Sequence, residues 1–145
     1  MDIKVKKILS VCLILLSNEL LAASTDNFGF VASNNQDPIF IEKCSEYRNA
    51  KLANDITTLL TFVDPKFLEK DLIHKATKHV RKVSKKYNKH FGGKSYQLSE
   101  NRLVENSDES LAGVKVVWRS EKSSFHEGCA FDKITSSNKW KIRVK

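Results

Sequence analysis

The sequence predicts an α+β domain in which two or three N-terminal helices pack on one face of a curved antiparallel sheet of about four strands. Apolar residues recur at helical spacing up to residue 91, and apolar and polar residues alternate after residue 95. The pair Gly92-Gly93 separates the two patterns, as expected where a helix ends. Helices followed by a run of strands are typical of α+β domains rather than of alternating α/β folds.

The first helix is predicted from the pair Asp37-Pro38. Asp provides an N-cap and Pro suits the first helical position. Phe40, Cys44 and Tyr47 follow at helical spacing, so they form one apolar stripe. This stripe is expected to face the sheet.

Two further helical segments follow. The second contains an apolar set of Leu52, Ile56, Leu59, Leu60 and Val63. The pair Asn54-Asp55 either breaks this segment from the first helix or only shifts its apolar stripe. Asp64-Pro65 repeats the start signal and predicts a long third helix that runs to Phe91.

Four short segments alternate in the manner of half-buried strands. Their apolar positions are Tyr96 and Leu98; Val114, Val116 and Trp118; Phe125, Cys129 and Phe131; and Trp140, Ile142 and Val144. Because the third set faces the core, Cys129 is expected to point at the helices and toward Cys44.

Residues 1–23 are predicted to form a cleaved signal peptide. Three lysines precede a nine-residue run, Ile8 to Leu16, that is apolar except for Ser10, and small residues at 22–24 follow. This run is too short to span a bilayer, which requires about 20 residues. We expect cleavage after Ala23 or Ser24, export to the periplasm or the medium, and no transmembrane helix after removal of the signal. The alternative is an uncleaved anchor.

The predicted mature chain then has a flexible leader, residues 24–36, and a single domain, residues 37–145. It retains Cys44 and Cys129, because Cys12 lies in the predicted signal peptide. An even cysteine pair in an exported protein predicts one disulfide. The alternative is a reactive thiol at Cys129, three residues after His126.

The pattern resembles the nuclear transport factor 2-like and cystatin-like group of domains. The resembling segments are residues 54–67, in which a helix ends in an acidic-proline pair before Phe67, and the closing strand Lys139-Trp140-Lys141-Ile142. The resemblance implies a cone-shaped domain with a pocket. It implies no single activity, because the group includes enzymes, binding modules and toxin-neutralising proteins. The chain departs from many members in having no early hairpin between its helices.

The net charge of +8 is located mainly in one segment. Residues 66–94 alone carry +8, so the rest of the predicted mature chain sums to −1. The predicted basic binding surface consists of Lys75, Lys78, Arg81, Lys82, Lys85, Lys86 and Lys89. A protein partner or an anionic envelope component would suit this surface, whereas export and the lack of a recognition motif argue against nucleic acid. The alternative is that these side chains only solvate the helix.

The sequence has no recognisable catalytic, metal or cofactor motif. His126 and Asp132 are the only candidates for an acid/base pair, on one face of a predicted strand.

We therefore predict a non-enzymatic exported binding protein that needs no metal or cofactor. Its sharper form is an immunity or inhibitor protein that occludes an envelope-directed toxin or hydrolase. The alternative is a small acid/base hydrolase or isomerase with a site in the cone of the sheet. The oligomeric state is not predicted.

Overall fold

Helices precede strands along the chain, as predicted. The computed structural model describes residues 27–93 and 95–144. Within them, three α-helices pack against an open four-stranded antiparallel sheet: α1 (Ile39–Ala53), α2 (Ile56–Thr61), α3 (Ile73–Phe91), β1 (Gln97–Val104), β2 (Leu111–Arg119), β3 (Ser124–Ile134) and β4 (Lys139–Ile142). The α+β prediction is confirmed. The predicted signal peptide and its cleavage site lie outside the described residues.

The pair Asn54-Asp55 separates two helices. Asn54 adopts the left-handed conformation, with φ of 54°, and ends α1. The Asp55 carboxylate then accepts a hydrogen bond from the backbone N–H of Thr58 at 3.1 Å and begins α2. Of the two possibilities that the sequence leaves open, the break into two helices is the one observed.

The third helix begins later than predicted. Asp64 caps a single 3-10 turn, Pro65–Phe67, and α3 starts only at Ile73. The apolar stripe explains the difference, because residues 69–71 are Glu, Lys and Asp and offer nothing to bury. The predicted end is confirmed, since α3 ends at Phe91, and Gly93, the second residue after it, has a positive φ of 67°.

The strands follow one another in the sheet in chain order, β1-β2-β3-β4. Val114 lies opposite Cys129, and Trp118 lies opposite Phe125, on the face that the helices cover. α1 packs on the sheet, and α3 packs against α1 and α2. The least exposed core side chains are Phe40, Leu59, Val80, Val114, Val116, Phe131 and Trp140.

The predicted disulfide is present and joins α1 to β3. The Cys44 and Cys129 sulfurs are bonded at 2.04 Å across a sequence separation of 85 residues. Cys44 is fully buried. A reactive thiol at Cys129 does not fit this arrangement, because its sulfur is already in a covalent bond.

The described part of the predicted leader, residues 27–36, packs against the domain. Phe30 and Trp140 exchange two backbone hydrogen bonds, of 2.9 and 2.8 Å. The Phe30 ring also contacts Phe40 at 5.5 Å and Phe131 at 5.8 Å between centroids. The predicted leader is therefore joined to β4 by an isolated bridge at Phe30.

Candidate functional site

A cleft separates the basic helix α3 from the β3 and β4 side of the sheet. It consists of two cavities, of about 750 Å³ and about 610 Å³, and His79 lines both. We call them the first and second cavities of the α3 cleft. The first lies toward the start of α3, and the second lies toward its end.

The first cavity has an apolar lining: Phe28, Phe62, Val63, Phe67, Leu72, Ala76, Ile142 and Val144. Its two carboxylates are already paired. Asp64 lies 3.6 Å from the Lys141 ammonium, and both Asp132 oxygens accept hydrogen bonds from Arg143, at 2.6 and 2.7 Å. Lys75, the other lysine that lines this cavity, forms no ion pair within the described residues.

The second cavity has an aromatic floor. The Phe91 ring lies 4.7 Å from Tyr87 and 5.2 Å from Phe125, and His90 lies 5.0 Å from Phe125, between centroids. Phe125 is 38% exposed, a high value for a phenylalanine with two aromatic neighbours, His90 and Phe91. An exposed aromatic surface in a cavity is a common feature of binding sites.

The basic residues of α3 form two stripes. Those that line the cleft recur at helical spacing, and we call them the cleft stripe: Lys75, His79, Lys82, Lys86 and His90. The outer stripe lines neither cavity and consists of Lys78, Arg81, Lys85 and Lys89. All of these side chains are exposed. Neither Arg81 nor any of these lysines forms an ion pair within residues 27–93 and 95–144. The predicted basic surface is thus divided, with three of its seven members at the cleft.

A cluster of charged and aromatic side chains borders the second cavity, and its members Lys51, Tyr87 and Glu127 line it. Glu127 accepts hydrogen bonds from the Tyr87 hydroxyl at 2.5 Å and from the Trp118 indole N–H at 2.7 Å. The Lys51 ammonium lies 3.9 Å from the centre of the Tyr87 ring. Arg48, which is 5% exposed, lies 5.6 Å from the Trp118 ring. The cluster connects α1, α3 and two strands.

Burial dominates the electrostatics of this cluster. It lowers the pKa of the Lys51 ammonium; the Glu127 carboxylate opposes that change, and Arg48 adds to it. Burial also raises the pKa of the Tyr87 hydroxyl well above its ordinary value, and the hydrogen bond to Glu127 acts in the same direction. Tyr87 therefore stays protonated and serves as a donor.

This cluster is not among the predicted site residues, although its members follow the core-facing periodicities of α1 and β3. Glu127 lies between Phe125 and Cys129 at the strand period of two, so it belongs to the core-facing set. Arg48 and Lys51 follow Cys44 and Tyr47 by four residues each, so they continue the buried stripe of α1. A charged residue in an apolar stripe indicates a buried partner of opposite charge.

The structure does not bring the two catalytic candidates together. His126 and Asp132 lie six residues apart on β3, a separation of about 20 Å. His126 is exposed, and hydrogen bonds from Arg143 hold the pKa of Asp132 below its ordinary value. Asp132 is therefore a poor proton acceptor at neutral pH, and the pair cannot work as an acid and a base on one substrate.

The described residues contain no group of three or more His, Cys, Asp or Glu side chains arranged to hold a metal ion. None of the helices in the described part of the chain is long and apolar enough to cross a bilayer.

Comparison of the chain with protein-family models, curated proteins and solved structures finds no match. The resemblance to nuclear transport factor 2-like and cystatin-like domains therefore stays a prediction. As predicted, α1, α2 and α3 follow one another without a hairpin between them in the described residues. A function for the chain is therefore inferred from the lining and the charges of the α3 cleft.

Proposed function

We propose that this chain is an exported, non-enzymatic binding protein of the cell envelope, and that its partner is a protein that inserts an acidic surface or segment into the α3 cleft. One observation carries the proposal. The apolar and aromatic cleft is bordered by lysines that form no ion pair within the described residues, while its carboxylates Asp64, Asp132 and Glu127 are held by neighbouring donors or cations.

The size of the cleft supports a protein partner. Small-molecule sites occupy about 300 to 1,000 Å³. Each cavity lies within that range by itself, but the two follow one another along α3, a helix of 19 residues and hence about 28 Å long. An elongated cleft of this kind fits a length of polypeptide better than a compact metabolite.

Export is supported by the disulfide between Cys44 and Cys129, since such bonds persist in oxidising compartments. The most specific form of the proposal is an inhibitor or immunity protein whose partner is a toxin or hydrolase that acts in the envelope. Such a protein needs a complementary surface and no catalytic group. The single domain with a charged cleft is consistent with this role.

The two stripes of α3 provide a matched test. Lys75→Glu/Lys82→Glu/Lys86→Glu reverses the lysines of the cleft stripe, and Lys78→Glu/Lys85→Glu/Lys89→Glu makes the same change in charge on the outer stripe of the same helix. We expect the first variant to lose at least about tenfold in affinity for the partner captured from an envelope extract, and the second to change it less than about threefold.

The measurement is the recovery of a stoichiometric complex, followed by titration of the purified partner at two salt concentrations. Circular dichroism of each variant controls for folding. Equal losses in both variants would mean that net charge alone drives association. Capture of no protein by the unmodified chain, with binding to anionic vesicles instead, would contradict the proposal and favour a lipid headgroup.

A further inference from the structure

The outer edge of β3 is only partly covered. β2 pairs with β3 along its whole length, from Ser124 to Asp132 and beyond. On the opposite edge, β4 pairs only with Phe131–Ile134, and one further hydrogen bond joins the Arg143 N–H to the Ala130 carbonyl at 2.8 Å. Residues 124–129 of β3 therefore have a strand on one side only, within residues 27–93 and 95–144.

The hydrogen bonds show which backbone groups face outward. The Lys133 N–H donates to Ser110 on the β2 side, and the Ala130 carbonyl accepts from Arg143 on the outer side. Residues of an antiparallel strand alternate between the two edges. Ser124, His126 and Gly128 therefore direct their N–H and C=O groups to the uncovered edge.

This edge is regular. The pairing of β3 with β2 runs without a bulge, and residues 124–129 contain no proline. By contrast, the edge strand β1 is interrupted by a shift in register between Leu98 and Glu100. An exposed edge that has neither a bulge nor a proline can act as a template for another strand.

The uncovered edge borders the second cavity. Phe125 and Glu127 alternate with the outward residues and line that cavity together with Lys82 and Lys86 of α3. A strand added beside β3 would place every second side chain toward the aromatic floor and the cleft stripe. Apolar and acidic side chains at those positions would match the surface.

We propose that an extended acidic segment of the partner protein pairs with residues 124–129 of β3 as a fifth strand. This inference rests on the proposed function and specifies how the partner binds. The outward groups form an alternating row of donors and acceptors, which only an extended polypeptide backbone can pair throughout. The cations of the cleft stripe select an acidic sequence, and the backbone pairing sets its direction and register.

The first test uses a capped decapeptide of alternating valine and glutamate as the probe. Nuclear magnetic resonance measures amide hydrogen exchange in the purified protein with and without the peptide. We expect exchange to slow at Ser124, His126 and Gly128, and to change little at Phe125 and Glu127, whose N–H groups already pair with β2. The same peptide with alternate amides N-methylated keeps its charge and apolar content and is expected to bind at least about tenfold more weakly.

The second test changes the protein at one position. His126→Pro removes an outward N–H and leaves the β2 ladder intact, whereas His126→Val retains the N–H and serves as the matched control. We expect His126→Pro to weaken the peptide at least about tenfold and His126→Val less than about threefold. If His126→Pro fails to fold, the N-methylated peptide with the unmodified protein decides the question.

The outcomes separate the two proposals. Equal affinity for the methylated and unmethylated peptides, or no binding of the decapeptide at millimolar concentration, overturns strand addition. If the partner captured through the cleft stripe binds the His126→Pro and His126→Val proteins equally well, strand addition is likewise overturned while the proposed function stands. If the unmodified protein captures no partner but the decapeptide slows exchange at the outward amides, the proposed physiological role is contradicted and the edge site stands.

Discussion

Glu127 on β3 links side chains of the helices to side chains of the sheet. Its carboxylate accepts from Tyr87 on α3 and from Trp118 on β2, and it opposes the effect of burial on Lys51 of α1. Donors that are buried without an acceptor are costly, so the three elements depend on this one side chain. It also fixes Tyr87 and Trp118, two of the aromatic residues in and beneath the second cavity.

Replacement of Glu127 is expected to destabilise the fold. Glu127→Ala leaves the Tyr87 hydroxyl and the Trp118 N–H without an acceptor and should lower the free energy of unfolding by about 2 to 4 kcal/mol. Glu127→Gln keeps an acceptor oxygen and loses only the charge, so we expect a loss of about 1 to 2 kcal/mol. Urea denaturation measures both. Equal losses for the two variants would show that the hydrogen-bond acceptor is unimportant.

At the scale of elements, the disulfide determines how α1 lies on the sheet. Cys44 is in the middle of α1, and Cys129 is in the middle of β3, beside the residues that line the cleft. α3 in turn packs against α1 and α2, and its C-terminal part contacts the strands through Tyr87 and Phe91. One wall of the cleft, α3, packs on α1, and the disulfide attaches α1 to β3 in the opposite wall. The width of the cleft therefore depends on this disulfide.

Reduction of this disulfide is expected to cost much of the stability. The crosslink closes a loop of 85 residues, and the loss of chain entropy predicts a contribution of about 4 to 5 kcal/mol to the free energy of unfolding. Urea denaturation with and without reductant measures it, and Cys44→Ala/Cys129→Ala is the control that reductant should not affect. Mass spectrometry that finds free thiols in the unreduced native protein would contradict the assignment.

At the scale of the whole molecule, the segment before α1 closes the core. Phe30 pairs with Trp140 and contacts Phe40 and Phe131, so it covers an aromatic cluster that α1 and the sheet leave open. Phe28 lines the first cavity of the cleft. The segment that the sequence predicts to be flexible therefore contributes both to stability and to the candidate site.

Two adjacent residues test this role. Phe30→Ala removes a half-buried ring from the aromatic cluster and should lower the free energy of unfolding by about 2 to 3 kcal/mol. Val31→Ala is the matched control, because Val31 is 70% exposed and should change stability by less than about 0.5 kcal/mol. Chemical denaturation measures both. A Phe30→Ala variant as stable as Val31→Ala would show that the segment does not pack in solution.

Periodicity predicted the helices, a sheet of about four strands and most of the core face, because burial on one side of an element leaves a local pattern. Leu98 is an exception, since it is 44% exposed. Periodicity did not predict the late start of α3, since Asp64-Pro65 is equally compatible with a 3-10 turn. Phe30 was missed for a different reason. A single aromatic residue in a polar segment has no period, and its partner Trp140 lies 110 residues away.

The sequence by itself determined the α+β class, the cysteine pairing and the basic character of α3. The first and the third follow from local patterns of residues, and the second follows from the presence of two cysteines in the predicted mature chain. Only the tertiary structure decided which lysines border the cleft, which carboxylates are already paired, and that β3 extends past β4. Those properties depend on distances between segments remote in sequence. They are set by the packing of α3 against α1 and α2 and by the length of one strand relative to its neighbour.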